Sequence, residues 1–199
     1  MKKTSDSNKK RLIVGMSGAS GAALGIMLLE IMKEYPGWET HLVISESARM
    51  TIEHETEYSI EQVNDLADKV YNIENIGESI ASGSFQTEGM IIVPCSMKTV
   101  AGIACGYSDN LLLRAADVTL KEKRKLVIAA RESPLGIIHL RNLLTLTEAG
   151  AYIMPPVVTY YHKPQTLEDM NLHIVSKMLD KFGIEVDGFR RWGEDYTNC

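Results

Sequence analysis

The sequence predicts an α/β fold, a single doubly wound parallel sheet, and three observations lead there. Short, almost wholly apolar runs recur along the chain, among them LIV (12–14), MIIV (90–93) and LVIAA (126–130), as strands buried on both faces require. Segments with apolar residues at helical spacing separate these runs, the alternation expected of βαβ units. The 199 residues, 45% hydrophobic and 24% charged, suffice for one such domain with a full core and are short for two. The chain has no internal repeat and no low-complexity linker.

Taken in order, the polar start MKKTSDSNKK reads as a disordered tail over 1–10 rather than a signal peptide. Residues 11–16 read as the first strand. Ala22–Glu34 form a helix on the spacing of Leu24, Met27, Leu28 and Ile31, ended by Pro36-Gly37. Thr40–Ile44 come next as a strand and Glu46–Glu57 as a helix. The stretch 58–85 is polar and ambiguous, with SIASGSF as a loop. Met90–Pro94 is the third buried strand, succeeded by a helix over Met97–Cys105 that Gly106 stops, and by another over Asn110–Glu122. Leu126–Ala130 is the fourth strand. Ile137–Ala149 is helical with Gly150 just past its end. Tyr152–Met154 forms a fifth strand cut off by Pro155-Pro156, and Thr166 with Asp169 makes a capping box for a last helix reaching about Phe182.

Composition narrows the function. A net charge of −5 gives no reason to expect nucleic acid or an anionic membrane surface as partner. No run of about 18 apolar residues is present, so no transmembrane helix is expected. Cys95, Cys105 and Cys199 include no Cys-x-x-Cys pair and no metal-like spacing to histidine, which points to a reduced, cytoplasmic setting and no metal site. The default reading of Cys95 and Cys105 is as small buried residues.

In open parallel sheets the ligand crevice lies beyond the carboxyl ends of the strands, so the residues just past each strand are informative. Ser17-Gly18-Ala19-Ser20 lies past the first, Ser45 past the second, and Cys95-Ser96-Met97-Lys98-Thr99 past the third; Arg131-Glu132 lies past the fourth, and Tyr160-Tyr161-His162 comes after the fifth. The first of these loops, GMSGASG, is neither the dinucleotide fingerprint nor a P-loop, which would end in Gly-Lys-Ser/Thr. The hydroxyls and helix N-termini at three of these ends can hold an anion, or they merely cap helices. Arg131-Glu132 is either a surface ion pair or, if buried, a carboxylate poised for proton transfer. Arg114 and Lys121 share a helix face and add positive charge there, unless KEKRK is a solvated basic stretch.

The segments GMSGASGA, IASGSF, PCSMKT, RAADVTLKEKRKLVIAARESPL, YYHKPQTLEDM and RRWGE, in this order and spacing from about residue 11 to 194, resemble the UbiX-type flavin prenyltransferases. IASGSF and PCSMKT resemble the branch labelled as the B subunit of hydroxyarylic acid decarboxylases. The resemblance implies a Rossmann-like (flavodoxin-like) flavin-binding domain over 11–185, and a tail over 186–199 that packs over the site or a neighbouring subunit. It implies FMN bound at a subunit interface of a homo-oligomer, often a dodecamer. It further implies metal-independent transfer of a dimethylallyl group from dimethylallyl phosphate to N5 and C6 of reduced FMN, through an allylic cation. The product would serve a UbiD-type decarboxylase. By the same resemblance Gly18, Ala19, Ser20, Ser45, Ser96, Met97, Lys98, Thr99 and Arg131 contact FMN, Ser20 beside the reacting flavin edge, and Glu55 reaches a neighbouring subunit's flavin. Arg114, Lys121, Arg131, Glu132, Tyr161 and Lys177 surround the allylic phosphate, and Trp192 closes over the site.

The chemistry agrees with that assignment. Without a metal, the charge of a departing phosphate must be met by Lys, Arg and hydrogen-bond donors. Lys121, Arg114 and Tyr161 suit this, Glu132 can exchange protons with the phosphate, and an aromatic face such as Trp192 stabilises the cation. The chain departs from the family pattern at two places. Lys177 stands where an arginine is common, losing the bidentate fork, and Ile76 lies where some members carry a tryptophan. The rival functions are oxidative decarboxylation of a cysteine, for which the needed Pro-x-Met-Asn segment is missing, and a decarboxylase subunit or flavin carrier without transferase activity. A carrier has no need of Glu55, Lys121, Glu132 and Tyr161 together.

Overall fold

The computed structural model describes residues 9–193. Among them the strands are β1 (Lys10–Met16), β2 (Trp38–Ile44), β3 (Lys69–Tyr71), β4 (Gly89–Cys95), β5 (Lys125–Ala130) and β6 (Tyr152–Ile153). They form one sheet in the order β3-β2-β1-β4-β5-β6, with every pair parallel. The helices are α1 (Ala22–Lys33), α2 (Glu46–Glu55), α3 (Ile60–Asn64), α4 (Met97–Ala104), α5 (Leu111–Lys121), α6 (Ile137–Glu148) and α7 (Leu167–Leu179).

Strand alternation divides the apolar residues between two cores. Leu12, Val14, Leu42, Ile44, Ile91, Val93 and Val127 face α1, α2 and α7, meeting Leu28, Ile52, Val175 and Leu179. Their neighbours Ile13, Val43, Met90, Ile92 and Ile128 face the other way, onto Val100 of α4, Leu112 of α5 and Leu146 of α6. Burial on both sides is why these strands carry continuous apolar runs. At Gly25, α1 lies against β4 so closely that a Cβ would sit 2.6 Å from the Val93 carbonyl oxygen. Side chains of Ser45, Ser96, Asn110 and Thr166 cap α2, α4, α5 and α7.

The structure corrects several expectations. The ambiguous stretch 58–85 holds β3, α3 and a short 3₁₀ turn over Ser79–Ala81, where a loop was expected. β3 lacks an apolar run because it is an edge strand; pairing with β2 holds it, and so does Tyr71, whose hydroxyl lies 2.7 Å from His41 Nδ1 and 2.8 Å from Ser79 Oγ. Lys10 already belongs to β1, so the strand starts inside the expected tail. Residues 1–8 of that tail, residues 194–199 and Cys199 with them lie outside the described residues. Cys95 is buried, but Cys105 is exposed at the end of α4. Among the described residues no helix is long and apolar enough to cross a membrane.

Candidate active site

The strand order reverses between β1 and β4, and at such a switch point the connections leave in opposite directions and open a crevice. Ser17 sits there with its N–H on the Pro94 carbonyl at 3.1 Å. Its Oγ accepts from Ser96 N–H at 2.8 Å. Ser96 Oγ in turn caps α4 by accepting from Thr99 N–H at 3.3 Å. Next door, the Ser45 N–H donates to Met16 O at 2.9 Å while Ser45 Oγ caps α2. The loop enters α1 through Gly21 at φ 112°, in the left-handed region that favours glycine. The N-termini of α1, α2 and α4 thus open at adjoining strand ends, each presenting N–H groups and a partial positive charge.

Glu55, the last residue of α2, reaches across to the glycine loop. Its carboxylate accepts from Gly21 N–H at 2.8 Å and Ala22 N–H at 3.0 Å, and the Ser20 hydroxyl is close enough to act on it. Burial alone would raise its pKa; these donors and the nearby Arg131 charge outweigh that and hold it below the ordinary carboxylate value. Ser20, Glu55 and Arg131 therefore form one electrostatically linked group.

A cleft of about 280 Å³ runs from Ser45 and Ser47 past Ser96, Lys98 and Thr99 to Tyr107, walled by Ile73, Leu112 and Leu113. Hydroxyls and helix N-termini at one side and apolar walls at the other suit a mononucleotide carrying a flat ring, so the residues fit FMN. Met97 is buried beneath this edge and Lys98 is exposed on it. The Gly18–Ala19 backbone folds tightly over the β1 exit, with Ala19 N–H on Ser17 O at 2.7 Å. Burial pushes the Cys95 thiol up to about 12 against the opposing hydrogen bond to Ser17, so it stays a neutral packing group.

The phosphate candidates Arg114, Lys121, Tyr161 and Lys177 are not gathered at this crevice. Arg131 and Glu132 are exposed at the β5 exit, and Glu132 Oε1 accepts the Ser133 N–H at 3.0 Å; within one chain Glu132 lacks the burial that proton transfer was expected to use. Arg114 pairs with Asp117 at 2.6 Å and donates to Ala81 O at 3.3 Å. Lys121 pairs with Glu122 at 2.7 Å at the end of α5, beside the start of β5, the far end of the sheet from the crevice. That separation is about 20 Å at ~3.3 Å per residue along β5. Lys177 lines a separate cleft of about 420 Å³ with Met154, Val157 and Lys181. Tyr161 meets Trp192 edge-on at 5.4 Å and His173 at 5.3 Å. Sequence reasoning missed His173, a lone histidine on an amphipathic helix with nothing local to mark it. Glu55, expected to reach a neighbour's flavin, is anchored here on its own chain's α1.

Known proteins share this fold. The family model described as Flavoprotein matches residues 1–179. A probable UbiX-like flavin prenyltransferase of Sedimentibacter hydroxybenzoicus is 52% identical over 182 residues, 92% of this chain and 96% of that protein. Among solved structures, a dodecameric FMN-dependent UbiX-like decarboxylase from Escherichia coli O157:H7 superposes with a TM-score of 0.90 at 52% identity, covering 92% of this chain and 98% of that one. AnUbiX (PadA1), in complex with FMN and dimethylallyl pyrophosphate, gives a TM-score of 0.91 at 49% identity, covering 93% and 98%.

Proposed function

The chain belongs to the flavoprotein family and, within it, to the UbiX-type flavin prenyltransferases, and on that premise we propose that it transfers a dimethylallyl group from dimethylallyl phosphate to N5 and C6 of reduced FMN. The observation that carries this reading is the Glu55 carboxylate seated on the Gly21 and Ala22 N–H groups at the mouth of the β1–β4 crevice, with Ser20 and Arg131 near it. Together the three place a hydroxyl, a carboxylate and a guanidinium where a flavin edge and a phosphate would both be in reach.

When bound, reduced FMN supplies the electron-rich ring edge that takes up the allylic carbon. The N-termini of α2 and α4, with Arg131, bind the mononucleotide's phosphate. Glu55, held as a carboxylate, would take up through the Ser20 hydroxyl the proton that the flavin edge gives up when it bonds to the allyl group. Breaking the allylic C–O bond sets phosphate free and leaves a cation on the allyl group. Arg114, Lys121, Tyr161 and Lys177 meet the phosphate's charge, Glu132 gives its oxygen a proton, and Trp192 offers an aromatic face to the cation.

Because the phosphate group and the crevice are apart in one chain, copies of the chain complete each other's sites. Two observations support such an assembly: α6 exposes Ile137, Ile138 and Leu144, and a relative at 52% identity is described as dodecameric. Assembly also buries Glu132, the condition for its proton role. The protein works in the cytoplasm and its product goes to a UbiD-type decarboxylase. The test is transfer of activity. Protein-free filtrate from an anaerobic reaction should switch on an apo UbiD-type decarboxylase, with both the monophosphate and the pyrophosphate donor tried. Activation by untreated FMN to the same degree would contradict the reading.

A further inference from the structure

Tyr161 Oη lies 3.2 Å from His173 Nε2 and 3.3 Å from the carbonyl oxygen of Arg190. A phenol has one proton to give, while its oxygen also accepts. Both contacts coexist only when Tyr161 donates to the carbonyl and the imidazole donates to Tyr161. Burial favours the same tautomer. His173 is only 4% exposed, and its Nδ1 is buried without a hydrogen-bond partner. A proton on Nδ1 would be an orphaned buried N–H, which folded proteins rarely tolerate, whereas a bare lone pair there costs less. Burial, with the charges of His162 and Lys177, also holds His173 below the ordinary imidazole value, so it carries one proton at neutral pH.

The ring cannot readily turn away. His162 stacks on it at 4.4 Å and 9°, Phe189 packs on it at 5.1 Å, and His162 Nδ1 is tied to Thr159 Oγ1 at 3.1 Å. We propose that His173 is a positioning residue for the prenyl-donor site: it donates Nε2–H to Tyr161 Oη and so leaves the phenol's single proton for an oxygen of the allylic phosphate. On substrate binding that proton turns from the Arg190 carbonyl to the phosphate while the imidazole contact persists. This inference rests on Tyr161 acting on the phosphate, as proposed above.

The experiment measures KM and kcat for dimethylallyl phosphate, at saturating reduced FMN, in Tyr161→Phe, His173→Phe, His173→Gln and the Tyr161→Phe/His173→Phe double variant. His173→Phe keeps the ring packing and removes the donor; it should raise KM about 3- to 10-fold and lower kcat/KM by at least as much. His173→Gln, whose amide N–H reaches near the Nε2 position, should restore most of the loss. The double variant should be no worse than Tyr161→Phe alone. An unchanged KM in His173→Phe beside a raised one in Tyr161→Phe overturns this proposal alone, and so do additive effects in the double variant. An unchanged KM in Tyr161→Phe overturns the phosphate role of Tyr161 and this proposal with it. If His173→Phe does not fold, His173→Asn, whose amide falls short of Tyr161, should show the raised KM; a wild-type value there overturns the proposal.

Discussion

Glu55 illustrates what a single side chain contributes. Its carboxylate ties the end of α2 to the start of α1 across 34 residues of sequence, and its lowered pKa has a definite sign. The stabilisation is present above the unfolded carboxylate value and is lost as pH falls through the lower folded one. Glu55→Gln should therefore lower Tm at pH 7 and narrow its difference from wild type at pH 3, as thermal melts would show; a constant difference would mean that the charge is irrelevant. Glu132 has the opposite profile, exposed and, among the described residues, tied to its neighbour Ser133. Its proposed role is kinetic, so Glu132→Gln should slow prenyl transfer by about 10²-fold or more while FMN titrations stay unchanged. Full activity in that variant would reject the proton role. At this scale Ser20 and Arg131 stand out in the sequence as a hydroxyl and a charge after buried strands, whereas Glu55, at the end of α2, is named only by the family resemblance. The sequence did not reveal that Glu55 caps its own α1, since that contact joins distant segments, nor that His173 backs Tyr161.

Elements are more legible than contacts wherever periodicity or a cap marks them. The Thr166–Asp169 capping box opens α7 as expected, and Gly150 ends α6 at φ 98°. β3 escaped because Lys69 and Val70 are exposed and only Tyr71 is buried, which leaves a three-residue strand without a pattern. α3 did carry a signal, the Ser59–Gln62 capping box, but it lies in a polar stretch and spans only five residues. The close approach of α1 to β4 was invisible in sequence, where Gly25 looks like an ordinary helix glycine. It makes a sharp prediction, because the Val93 carbonyl belongs to a central strand and cannot retreat. Gly25→Ala should destabilise the protein by about 1–3 kcal/mol through overpacking, read as a lower urea midpoint. An unchanged or higher midpoint would mean that the helix shifts freely.

For the molecule as a whole, the apolar strand runs were enough to identify the parallel sheet and its carboxyl-end crevice, but not how the site is divided. Arg114 and Lys121 share a helix face in sequence, yet α5 carries Lys121 to the far end of the sheet from Ser20. If copies complete each other's sites through α6, Ile138→Asp should give smaller species in light scattering and lose FMN affinity together with activity. A full-size, active Ile138→Asp variant would exclude that face. Acid lability is also a property of the whole fold. Burial lowers the pKa of both His41 and His173, so the unfolded chain binds more protons between the folded values and about 6.5. Stability should rise with pH across that window and fall as pH drops below 6.5, and a Tm that is flat there would contradict neutral burial. The most direct test of the central claim is the mass of the flavin recovered after anaerobic incubation of the full chain with reduced FMN and dimethylallyl phosphate. The account predicts FMN bearing one added dimethylallyl group, formed only with the prenyl donor present; unmodified FMN from correctly assembled protein would contradict it.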